Sequence, residues 1–78
     1  MMRGASRLSR EFAEVIKSHR LQRGLSQEAL AEKAGVHHTY VSMVERGVCK
    51  PTIEVAERLA RALGKKLSTL IAEAEGGG

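Results

Sequence analysis

Gly24, Gly35, Gly47 and Gly64 cut this chain into short stretches. Between them apolar residues recur at helical spacing, and no stretch alternates as a strand does. The chain is therefore confined to a bundle of short helices. "SREFAEVIKSHRLQR" carries Phe12, Val15, Ile16 and His19 on one side, with Ser9 as the expected N-cap and Glu11 in the first turn. "SQEALAEKAG" opens on Ser26 and turns Leu30, Ala31 and Ala34 to one face. It is too short to hold as a helix alone in water. Thr52 is the expected cap of "IEVAERLARAL", whose stripe is Ile53, Ala56, Leu59, Ala60 and Leu63. Ser68 is the expected cap of a last short helix, with Leu70 and Ile71 facing inward.

A chain of 78 residues holds one domain. Its size makes it marginal alone, so association with a second copy is expected. Residues 9–74 form the expected domain, between a flexible basic arm at 1–8 and a Gly-rich tail at 75–78. Aromatics are only 3%, which leaves the core to Leu, Ile, Val and Ala. No apolar run approaches the ~18 residues of a membrane span, and the basic start lacks the apolar region of a secretory signal. The single cysteine, Cys49, excludes an internal disulfide and fits a reducing cytoplasm. Residues 1–50 carry nine Lys/Arg against five Glu, whereas 51–78 carry four of each. A localised positive excess favours a polyanionic partner.

The segment "GVHHTYVSMVERG", Gly35 to Gly47, decides which partner. Over Val36–Arg46, at about 100° per residue, His38, Thr39, Ser42, Met43 and Arg46 share one arc. Val41 and Val44 fall on the other side. Two valines anchor such a helix, and the opposite arc offers short hydrogen-bonding groups that a partner can approach closely. An ordinary solvated face is the plain alternative. The segment follows another short helix after a Gly-centred turn, which is the helix-turn-helix arrangement.

"LSQEALAEKAGVHHTYVSMVERG" resembles the Cro/repressor-type, or xenobiotic-response-element, helix-turn-helix family. Gln27, Leu30, Ala31, Gly35, Val41 and Val44 match its pattern, "ERG" matches its usual ending, and "KPTIEVAERLARALG" matches the helix that follows. The resemblance covers about residues 10–72. "TYVSMVERG" further resembles the controller proteins of restriction–modification operons. The resemblance implies an all-α, compact five-helix lambda-repressor-like DNA-binding domain. It also implies a sequence-specific regulator of transcription that binds double-stranded DNA as a homodimer on a palindromic operator, without a cofactor.

If the helix around 37–46 lies in the major groove, His38, Thr39, Ser42 and Met43 are the base-reading candidates. Thr39 and Ser42 donate or accept a hydrogen bond, His38 can donate to a purine N7, and Met43 can pack on a thymine methyl. No arginine opens this helix, so sequence preference leans also on DNA shape and on the arm. Ser26, Gln27, Tyr40, Arg46 and Lys50 are the phosphate candidates. By the same resemblance Arg20 pairs with Glu45, ties the first helix to the third, and has a secondary phosphate contact within reach. Leu67, Leu70 and Ile71 offer a two-fold interface, with at least one of them filling the core instead. A charge at Ile71 is then expected to give a monomer.

Other chemistries are weaker. His37 and His38 are adjacent, so on a helix their rings diverge and do not share one metal ion. His19 is expected to be half-buried without a pH-sensing role, and Cys49 to be an inert loop thiol. There is no Gly-rich phosphate loop and no nucleophile with an ordered base, so no enzyme is expected. The arm has too few apolar residues for a membrane surface. The rival reading is an antitoxin-like or adaptor protein that uses this fold mainly to bind protein. RNA polymerase and a cognate toxin are the further partners these readings bring in.

Overall fold

The computed structural model describes residues 6–76. Five helices follow in order: α1 (Arg7–Gln22), α2 (Gln27–Ala34), α3 (His38–Glu45), α4 (Ile53–Ala62) and α5 (Leu67–Gly76). Among the described residues there is no strand. The radius of gyration is 11.4 Å. α1 packs on α5 and α3, α2 on α3 and α4, and α4 on α5.

Each helix buries the stripe its sequence offers. α1 contributes Phe12 and Ile16, α2 contributes Leu30, Ala31 and Ala34, and α3 contributes Val41 and Val44. α4 adds Ala56, Leu59 and Ala60, backed by Leu63 just beyond its end. At about 25 cal/mol per Å² of apolar surface removed from water, this shared core is what holds helices too short to stand alone. The small side chain of Ala31 lets α2 approach its neighbours closely.

Caps set the helix starts. Ser6 Oγ accepts the Ser9 N–H at 3.2 Å, Ser26 Oγ the Ala29 N–H at 2.9 Å, and Thr52 Oγ1 the Val55 N–H at 3.1 Å. Ser6, and not the expected Ser9, therefore caps α1, and Arg7 and Leu8 are helical rather than part of an arm. Residues 1–5 of that arm, and 77–78 of the expected tail, lie outside the described residues; Glu75 and Gly76 belong to α5. α5 begins at Leu67, so Ser68 sits inside its first turn instead of capping it.

One apolar expectation changes and another is narrowed. Ile53 is 81% exposed, because the first residue of α4 projects past the core. Leu70 is fully enclosed within the protomer, between α5 and the rest of the core, so it is no part of a surface that a second copy could touch. His19 is half-buried, as expected, and its Nε2 lies 2.9 Å from Glu73 Oε1, linking α1 to α5.

Candidate nucleic-acid interface

The α2–α3 turn is made by Gly35, which caps α2 at φ +74°, a left-handed conformation that costs a side-chain-bearing residue about 1–2 kcal/mol. Its N–H bonds back to the Glu32 carbonyl at 3.3 Å, and the Val36 N–H to Ala31 at 3.0 Å. A Cβ at Gly35 would also meet Arg58 Nη1 at 3.2 Å. This bend sets α3 across α2 with Val41 and Val44 turned inward, both essentially inaccessible.

The opposite arc of α3 is open. His38, Thr39 and Arg46 are exposed, and Ser42 and Met43 are half-buried. The four base-reading candidates and Arg46 thus share one accessible surface. Lys50, in the loop after α3, is exposed. Ser26 is exposed at the start of α2, with its oxygen engaged in the cap and its hydroxyl hydrogen still available to donate.

Behind this surface sits a buried ion pair. Arg20 Nε donates to Glu45 Oε2 at 2.7 Å, and Nη2 donates to Oε1 at 3.0 Å, a bidentate geometry. Nη1 donates to the Leu25 carbonyl at 2.7 Å. Both residues are 7% exposed. The expected pairing of α1 with α3 is present, and burial makes Arg20 a scaffold residue with no face for the phosphate contact also considered for it. Gln27 differs from expectation in the same place: its Nε2 donates to Glu45 Oε1 at 3.0 Å. Glu45 therefore takes three donors. Its charge is neutralised within the protein, where a carboxylate on an open helix would repel a polyanion.

Tyr40 is half-buried against Cys49 and the Thr52 backbone. Burial, then the neighbouring thiol, raises its pKa; burial likewise raises that of Cys49, against a smaller opposing effect of the bond to Tyr40. Both stay protonated at neutral pH, so Cys49 is a packed thiol rather than a reactive thiolate. This packing is not legible in sequence, because the path of the α3–α4 loop is not written in any periodicity.

His37 was missed as well. It is the N-cap of α3, and its Nδ1 accepts the Thr39 N–H at 3.1 Å. No composition signal marks it, since caps are usually Ser, Thr, Asp or Asn. Among the described residues no three His, Cys, Asp or Glu side chains are grouped to hold a metal ion, and no helix is long and apolar enough to cross a membrane.

A tight glycine bend, a buried valine pair and an open polar arc on the second helix define a helix-turn-helix protein. The helix-turn-helix family model matches residues 16–70, and the chain belongs to that family, in its Cro/repressor-type branch. It is 42% identical over 52 residues to an HTH-type transcriptional regulator of Methanothermobacter thermautotrophicus, covering 67% of this chain and 75% of that one. It is 41% identical over 60 residues to the control protein C.SmaI of Serratia marcescens, covering 77% and 71%. The crystal structure of the restriction-modification controller protein C.AhdI from Aeromonas hydrophila superposes with a TM-score of 0.77 at 34% identity, covering 80% and 94%. The family is one of DNA-binding transcriptional regulators and not of enzymes.

Proposed function

We propose that this chain binds a palindromic operator on double-stranded DNA as a homodimer, with α3 of each copy in the major groove. The observation that carries the reading is the split of α3, with Val41 and Val44 enclosed and His38, Thr39, Ser42, Met43 and Arg46 accessible on the other side. His38, Thr39, Ser42 and Met43 read base edges. Arg46, Lys50 and Ser26 hold phosphates. Gln27 and Tyr40 act behind them, steadying Glu45 and the α3–α4 loop.

A two-fold partner multiplies the few base pairs that one short helix reads, with half-sites about 34 Å apart. The surface that supports this is an apolar groove lined by Leu8, Phe12, Pro51, Ile53, Leu67 and Ile71. Leu67 and Ile71 keep the interface role expected of them, and the exposed Leu8 and Ile53 join them in place of Leu70. A regulator of this kind acts in the cytoplasm and controls transcription by its own concentration. Likeness to controller proteins favours a restriction–modification setting, with RNA polymerase as the further partner; a cognate toxin belongs to the rival reading.

Retention on immobilised duplex DNA at rising salt tests the reading. Affinity is expected to fall steeply and linearly on logarithmic axes, as bound phosphates release counterions. No retention at low salt would contradict DNA binding and return the protein-interaction reading.

A further inference from the structure

The first turn of α3 depends on one residue for its hydrogen-bond acceptors. The His37 carbonyl takes the Tyr40 N–H at 3.0 Å and the Val41 N–H at 3.4 Å, and the His37 ring takes the Thr39 N–H through Nδ1 at 3.1 Å. A ring nitrogen accepts only when it carries no proton. The bond therefore fixes both charge and tautomer: neutral, with the proton on Nε2, which has no acceptor elsewhere in the described protein. The same ring stacks on His38, with centroids 4.6 Å apart and planes 25° from parallel; the two rings do not diverge as expected of adjacent helical residues, because His37 is the cap with an extended backbone and lies outside α3. One side chain thus holds the backbone of Thr39 and the ring of His38, two of the four residues placed on bases.

We propose that His37 is a positioning residue for base recognition, and that its neutral, Nε2-protonated form is the one that discriminates between DNA sequences. This rests on the reading that α3 meets the bases. Protonation of His37 removes the only side-chain acceptor for the Thr39 N–H. It also places a cation at the positive end of the α3 dipole and against a second imidazole. All three consequences loosen the first turn. The ring stacks on His38, and among the described residues neither imidazole is paired with a carboxylate. A proton on His37 still adds positive charge beside a polyanion. Acid therefore lowers sequence discrimination without lowering general affinity for DNA.

The test compares binding to a duplex selected from a random library by the native protein at pH 8 with binding to unselected duplex, at pH 8 and at pH 5. The native ratio is expected to fall about fivefold at pH 5, the worth of one helix cap. His37→Asn keeps a capping oxygen that does not titrate, so it should match the native ratio at pH 8 and hold it at pH 5. His37→Ala should show the low ratio at both. The ¹⁵N resonances of the native ring give a readout independent of DNA, and Nδ1 should appear as the unprotonated nitrogen at pH 8. A native ratio that does not change with pH, an Asn variant that falls as the native protein does, or a protonated Nδ1 at pH 8 would each overturn the proposal. If no duplex is selected at all, the reading of α3 itself fails, and the proposal falls with it whatever the ring spectrum shows.

Discussion

Glu45 shows how much one side chain can be asked to do. It stands at the end of the helix proposed to meet DNA, and its charge is turned inward onto Arg20 and Gln27. Removing one partner of a buried pair leaves the other charge without compensation, at a cost of about 3–5 kcal/mol. Glu45→Ala and Arg20→Ala are each expected to lower the unfolding free energy, read from urea denaturation, by an amount in that range, and the double variant to lose clearly less than the two together. Additive losses in the denaturation curves would mean that the pair is not coupled. The family resemblance made this pair readable from sequence. The bond from Gln27 to Glu45 is not legible in sequence, because a position at a helix start is visible there and the carboxylate arriving beside it from 18 residues away is not. Ile53, expected in the buried stripe, is exposed for a similar reason, whereas Leu70 is the one of the three interface candidates that fills the core. Periodicity says which residues share a face, but not where a helix runs out past its neighbours.

At the scale of the element, α3 is where sequence was most informative. Its split between valines and short polar residues follows from a rotation of about 100° per residue, and the structure reproduces it. Its start was less legible, since a histidine cap has no compositional signature. The reading proposed for α3 divides its residues by role. Thr39→Ala and Ser42→Ala are expected to change base preference in a selection from random duplexes while leaving non-specific binding nearly intact. Arg46→Ala should weaken binding to every sequence and make the salt dependence shallower by about one unit. Identical behaviour of the two kinds of variant would show that base reading and phosphate holding are not separable on this helix.

For the whole molecule, the described residues form a body of 35 × 24 × 20 Å with its polar reading face and its apolar groove built from different elements. The reading face belongs to α2, α3 and the loop that follows; the groove belongs to the start of α1, the start of α4, and α5. If the proposed roles hold, recognition and association are separable by mutation. Ile71→Asp is expected to give a sedimentation mass of one chain, an intact helical spectrum, and much weaker binding to a palindromic duplex than to be expected from any change on α3. An unchanged mass would remove Ile71 from the interface. The five-helix class and the core were legible because each stripe had one way to be buried. The groove was legible only in part, because Leu8 and Ile53 reach it through the packing of α1, α4 and α5.

Resonance mapping of the protein titrated with duplex DNA shows whether α3 turns its valines to the protein and its polar arc to the duplex. The largest shifts should fall on His38, Thr39, Ser42, Met43 and Arg46, with the Val41 and Val44 methyls nearly still. Shifts concentrated on the Leu8–Ile53–Ile71 groove, with α3 unmoved, would contradict it.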